Sequence, residues 1–182
     1  LFCLSFVHDT LKTMIFLPVF VFIFGLLIGS FLNVVILRMN TGRSIAKGRS
    51  KCARCSRVLA WYDLIPVFSY LGLRGKCRTC RTQISFQYPL VELLTAITFV
   101  LLFMKILIPG FFSLFSWITF LGSLIAACFL IIITVYDLRH KIIPDIIVFP
   151  LIILAFFEIL WQCIKISGFM IGKSVVEGIL VA

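Results

Sequence analysis

The residues best suited to chemistry are few and stand out against an apolar chain. Residues 135–145, Val-Tyr-Asp-Leu-Arg-His-Lys-Ile-Ile-Pro-Asp, form a charged island between two long apolar runs, with carboxylates at Asp137 and Asp145. Upstream, Cys52-Ala-Arg-Cys55 and Cys77-Arg-Thr-Cys80 are two C-x-x-C pairs with 21 residues between them. Such pairs deliver four thiolates to one tetrahedral zinc ion. Lys51, Arg54, Arg57, Lys76, Arg78 and Arg81 flank the cysteines, and their charge favours thiolates. Four protein ligands leave no open coordination position, so the expected zinc staples the loop and takes no part in catalysis. Paired disulfides are the poorer reading for a loop expected in the reducing cytoplasm. Cys3, Cys128 and Cys163 stand alone in or near apolar runs and read as packing residues.

Two carboxylates that share a proton can hydrolyse a peptide bond, one activating water while the other polarises the carbonyl. Asp137 is a candidate for one half of such a pair. The plainer reading makes Asp137 and Asp145 interfacial charges paired with Arg139 and Lys141. His140 reads as an interfacial residue rather than a base.

The elements that position these residues are membrane spans. Mean hydropathy is +1.19, and 62% of residues are apolar against 13% charged, which excludes an ordinary soluble domain. Apolar runs at 14–37, 90–108, 111–136 and 146–164 are long enough to cross a bilayer, and 168–182 looks like part of a fifth span. The first run is too long for a cleaved signal peptide and reads as a retained anchor. It carries Gly25-x-x-x-Gly29 and Ser30, small residues that admit a close helix neighbour, and Asn33, which should face the bundle. Pro89 suits the first turn of the second span, and Glu92 is expected in that turn, where the helix dipole favours an acid. No internal repeat is evident.

The net charge of +10 is unevenly spread: residues 38–89 hold eleven of the 17 Lys and Arg and a single acid, Asp63. In a membrane protein this marks a cytoplasmic loop and puts the N-terminus outside, with 137–145 again cytoplasmic. Nucleic-acid binding is the weaker reading of the charge, and contact with anionic lipid headgroups the stronger. The expected fold is an all-α polytopic membrane protein: four transmembrane helices plus part of a fifth, and a small cysteine-rich cytoplasmic loop domain. Its segments are 1–37, an N-terminal stretch and first helix; 38–89, the basic cysteine-rich domain; and 90–182, the remaining membrane helices.

These residues resemble the bacterial prepilin peptidases, the type IV leader peptidases. Gly29-Ser-Phe-Leu-Asn-Val-Val35 is similar to the end of that family's first span. Cys52-x-x-Cys55, Trp61-Tyr-Asp-Leu-Ile-Pro66, Ser69-Tyr-Leu71 and Gly75-Lys-Cys77-x-x-Cys80 resemble its cytoplasmic domain. Ile84-Ser85 and Gln87-Tyr-Pro-Leu-Val-Glu92 resemble the opening of its second span, and Asp137 through Pro144-Asp145 its D-x6-P-D motif. The resemblance covers roughly residues 25–150. It implies an aspartic endopeptidase of the bacterial inner membrane that removes the basic leader of type IV prepilin-like membrane precursors on the cytoplasmic side. It also implies N-methylation of the new terminus from S-adenosylmethionine. Asp137 would be the first catalytic aspartate and Asp145 an acid of the same motif with a supporting role. Cys52, Cys55, Cys77 and Cys80 would be the metal-binding set.

One motif is missing. The family's second aspartate belongs to G-x-G-D, which this sequence lacks; the acids after Asp145 are Glu158 and Glu177. The expectation is therefore a C-terminally truncated member that does not cleave prepilin alone. The alternative is a non-catalytic, membrane-anchored zinc-binding scaffold of a pilus or secretion assembly.

Overall fold

The computed structural model describes the backbone of residues 2–39, 41, 44, 48–52, 54–109, 113–141 and 145–180, and the side chains of all of these except 2–15, 165 and 168–180. Among the described residues five α-helices follow one another: α1 (Phe2–Arg38), α2 (Phe68–Gly72), α3 (Gln87–Leu102), α4 (Leu114–His140) and α5 (Asp145–Leu180). A 3-10 turn at Trp61–Leu64 precedes α2, and a π-helical turn at Phe103–Leu107 extends α3. Among the described residues there is no strand, only two isolated antiparallel bridges.

Among the described residues four stretches are long and apolar enough to span a membrane: Phe16–Arg38, Gln87–Leu107, Leu114–His140 and Asp145–Ile164. In lipid only a helix satisfies its own backbone, and the span threonines complete the economy. Thr95, Thr98, Thr119 and Thr134 each donate their hydroxyl to the carbonyl four residues back. The protein is thus an all-α polytopic membrane protein with a cysteine-bearing loop. The stretch expected to open a fifth span instead continues α5 without a break to Leu180, while 181–182 lie outside the described residues.

The helices are joined at two levels. Leu32 and Ile36 of α1, Val91 of α3, Ile132 of α4 and Ile147 of α5 form one buried cluster near the cysteine-bearing loop. Phe103, Leu107 and Phe120 form a second toward the other end. Between them α1 and α3 come into backbone contact at the small-residue positions. A Cβ on Gly25 would sit 2.6 Å from Ala96 Cα, and one on Gly29 2.7 Å from Glu92 Cα. Both obstacles are main chain, so no rotamer change relieves them. Gly29→Val should therefore part the two helices, lowering stability by about 1–3 kcal/mol. Thermal unfolding in detergent micelles measures this, and an unchanged midpoint would refute the close approach.

Candidate functional site

The loop between α1 and α3 carries two copies of one pattern of backbone hydrogen bonds. In residues 50–59, Cys52 N–H bonds Arg57 O (3.0 Å), Ser56 N–H bonds Cys52 O (3.0 Å) and Leu59 N–H bonds Ser50 O (2.8 Å). Residues 75–84 repeat the pattern: Cys77 N–H to Thr82 O (2.8 Å), Arg81 N–H to Cys77 O (3.0 Å) and Ile84 N–H to Gly75 O (2.7 Å). Each unit has an antiparallel bridge, Lys51 with Val58 and Lys76 with Gln83. Each also has a left-handed residue just after its second cysteine, Ser56 at φ 55° and Arg81 at φ 53°. So the loop does contain an internal repeat, contrary to the expectation of none. It is carried by backbone geometry, with little beyond Lys-Cys-x-x-Cys shared in the side chains.

The two turns face each other and gather Cys52, Cys55, Cys77 and Cys80, whose sulfurs all lie within 4.8 Å of one another. Cys52 Sγ and Cys80 Sγ are 3.7 Å apart. Four thiolates at about 2.3 Å from a tetrahedral metal ion stand about 3.8 Å from each other, so the set fits such an ion after small side-chain adjustments. Without a metal the thiols are unequal. Hydrogen bonds from Thr82, first its hydroxyl and then its backbone N–H, hold Cys80 down to about 6. Backbone N–H groups of Cys55 and Arg54 lower Cys52. Cys55 is pushed up to about 11: the backbone of Arg57 pulls it down, but desolvation and the neighbouring cysteines outweigh that pull.

Asp63, the loop's single acid, clasps the two units. Its side chain is 2% exposed and lies 3.6 Å from Arg57 Nη2 and 3.2 Å from Arg78 Nε. Its Oδ2 also accepts from Ala60 N–H at 3.3 Å. The arginines of the first unit reach the threonines of the second: Arg57 Nη1 donates to Thr79 Oγ1 (2.7 Å) and Arg54 Nη1 to Thr82 Oγ1 (3.4 Å). Asp63→Ala should loosen the metal-loaded domain by about 1–2 kcal/mol, because both guanidinium groups are part-exposed and regain water. Once the four cysteines hold a metal ion, its loss to a chelator should then run about five- to thirtyfold faster, whereas an unchanged rate would show that the clasp carries nothing.

Glu92 was expected in the first turn of its span, but α3 starts earlier, at Gln87. Glu92 is buried and reaches back to the loop: its Oε2 accepts from Val67 N–H at 2.7 Å, and Ser30 of α1 also hydrogen-bonds its carboxylate. Val67, a β-branched residue at φ 58°, holds a backbone region that such residues avoid. The membrane helix thus fixes a strained corner of the loop. Asn33 does face the bundle, donating from Nδ2 to Tyr88 O at 3.0 Å.

The charged island is split by the fold. Asp137, Arg139 and His140 belong to the last turn of α4, and Lys141 ends the helix at φ 53° with its N–H on Asp137 O (2.7 Å). Residues 142–144 lie outside the described ones, and Asp145 opens α5, where the helix dipole favours its charge. Both carboxylates are exposed, flanking the α4–α5 connection. Among the described residues neither is ion-paired, so the expected pairing with Arg139 and Lys141 is not made there. Glu158 of α5 packs on Gly122 of α4, 3.5 Å from Ser123 Oγ. The Glu177 side chain lies outside the described set. Sequence reasoning missed the Glu92 and Asp63 roles. A lone acid among eleven basic residues was the available signal for Asp63.

Comparison with known proteins agrees with this architecture. Residues 23–106 match the sequence model of the bacterial peptidase A24 N-terminal domain. A prepilin leader peptidase/N-methyltransferase of Myxococcus xanthus is 43% identical over 127 residues, covering 69% of this chain and 35% of the relative. One from Neisseria gonorrhoeae is 39% identical over 154 residues, covering 71% and 51%. A type 4 prepilin-like proteins leader peptide-processing enzyme of Escherichia coli is 37% identical over 148 residues, covering 71% and 52%. The chain thus spans between a third and a half of the length of these relatives. No solved structure matches it. Residues 23–106 thus match the bacterial peptidase A24 N-terminal domain, and about 70% of the chain is similar to bacterial prepilin leader peptidases.

Proposed function

We propose that this chain serves a membrane aspartic endopeptidase that removes the leader of prepilin-like precursors at the cytoplasmic face. The observation that carries the reading is the similarity to prepilin leader peptidases over about 70% of the chain. Asp137 supplies one carboxylate of the catalytic pair, at the membrane surface where α4 ends. Its partner is the G-x-G-D aspartate of the family, a motif this sequence does not contain. With the two carboxylates sharing one proton, the ionised one takes a proton from water and the protonated one donates to the scissile carbonyl. Asp145 supports the site from the first turn of α5.

The four cysteines hold a structural zinc ion that shapes residues 50–84 without entering the reaction. S-adenosylmethionine, when bound, would supply the methyl group for the new N-terminus. The loop's single carboxylate is already engaged by Arg57 and Arg78, so it does not supply the acid that a nucleoside hydroxyl would seek. The eleven basic residues of 38–89 hold the loop in the cytoplasm.

The test is leader cleavage in isolated membranes by two proteins: this chain alone, and this chain joined to the uncovered half of the Neisseria gonorrhoeae relative. Cleavage by the joined protein only is the expected result. If neither cleaves while the metal is still bound, the enzymatic reading fails and the scaffold reading takes its place.

A further inference from the structure

The cysteine-bearing domain turns a face of large apolar side chains outward. Trp61 is 77% exposed, Phe68 67%, Leu71 65% and Phe86 64%. This face is tied to the first turns of a membrane span. Phe86 caps α3, and its ring meets Tyr70 of α2 edge-on at 6.4 Å. Val67, the residue before α2, is held by Glu92. Glu92 lies five residues into the span, about 7.5 Å along the helix axis. α2 therefore lies beside α3 where the span meets the headgroup region, and it is held there by a hydrogen bond and a ring contact.

We propose that this face is seated in the bilayer: Trp61, Phe68, Leu71 and Phe86 enter the headgroup–acyl boundary of an anionic leaflet. Aromatic side chains are favoured at that depth. Arg74, Lys76, Arg78 and Arg81 are all exposed around the same segment and suit anionic headgroups. Arg78 lies over the Tyr62 ring at 5.0 Å, so cation and aromatic surface form one patch. The loop's one acid is buried under arginines, which leaves no exposed carboxylate within the loop itself to repel phosphate or to attract a basic peptide. Lipid therefore fits better than a leader rich in lysine and arginine. The domain would then be a plate lying on the membrane rather than a module hanging from two helices.

The experiment uses the full chain reconstituted in vesicles of phosphatidylglycerol and phosphatidylcholine whose acyl chains are brominated near the headgroup. The emission lost in Trp61→Phe, an exposed substitution, isolates Trp61 from Trp117 and Trp161. In the parent protein, brominated lipid should remove more than half of that emission, and aqueous acrylamide should barely touch it. Phe68→Ser with Leu71→Ser should at least halve the loss to bromine, and phosphatidylcholine alone should weaken it. Free quenching by acrylamide with no loss to bromine would overturn the proposal. So would a loss to bromine that vanishes when a pilin-like precursor is added, because the face would then belong to a protein partner. Equal losses in neutral and anionic vesicles would overturn the preference for an anionic leaflet.

Discussion

Asp137→Asn in the joined protein is expected to reduce leader cleavage by about a thousandfold, within the range for loss of a positioned acid or base. The substitution is nearly isosteric and changes one exposed side chain in the last turn of α4. Among the described residues the Asp137 carboxylate has no hydrogen bond or ion pair to lose. The dipole at a helix C-terminus opposes an anion, so the amide should leave α4 as stable or slightly more so. Activity and stability then separate, which they would not if Asp137 were a structural charge. Asp145→Asn gives the contrast. At the start of α5 it forfeits about 0.3–1 kcal/mol of dipole stabilisation and should slow cleavage far less than the change at Asp137. Precursor and mature pilin resolved on a gel, beside a thermal melt of each variant, make the comparison. Full cleavage by Asp137→Asn would remove this residue from the mechanism.

The second large effect is expected at the cysteines. Between residues 50 and 86, among the described ones, only Pro66, Gly75 and Cys77 are buried. A domain with so little core is not held by hydrophobic burial and needs a staple. A structural zinc ion supplies on the order of 10–16 kcal/mol in small domains of this kind. Cys77→Ser, which removes the most buried of the four ligands, should abolish metal binding and open residues 50–84 to trypsin at their many lysines and arginines. The span helices should persist, because their packing at Gly25, Gly29 and the two apolar clusters does not pass through the loop. The expected readout is loss of one metal equivalent by elemental analysis, with cleavage confined to the loop and helical circular dichroism nearly unchanged. A loop that stays protease-resistant without metal would show that the arginine–Asp63 clasp suffices.

Some of this protein was legible in its sequence because the responsible physics is local. A run of apolar residues either spans a bilayer or does not, and the four spans follow from that alone. Two C-x-x-C pairs predict four convergent thiols because each tight turn already holds its own pair together. Gly25-x-x-x-Gly29 announces a close helix neighbour because glycines four apart share one face.

What the tertiary structure decided depends on distance in the chain. That the neighbour is α3, touching at Ala96 and Glu92, lies some seventy residues away from the glycines and leaves no local mark. Glu92 looked like a first-turn acid because spacing shows only where a helix can begin. Folding starts α3 earlier, and the carboxylate, now buried, is satisfied by the N–H of Val67. The repeat at 50–59 and 75–84 is written in backbone dihedrals and hydrogen bonds, which dissimilar side chains can share. The outward apolar face needed both kinds of information. The sequence supplied its residues, but only the fold leaves Trp61, Phe68, Leu71 and Phe86 exposed and ties α2 to the start of a membrane span through Tyr70 and Val67, because only folding decides which apolar groups go unburied.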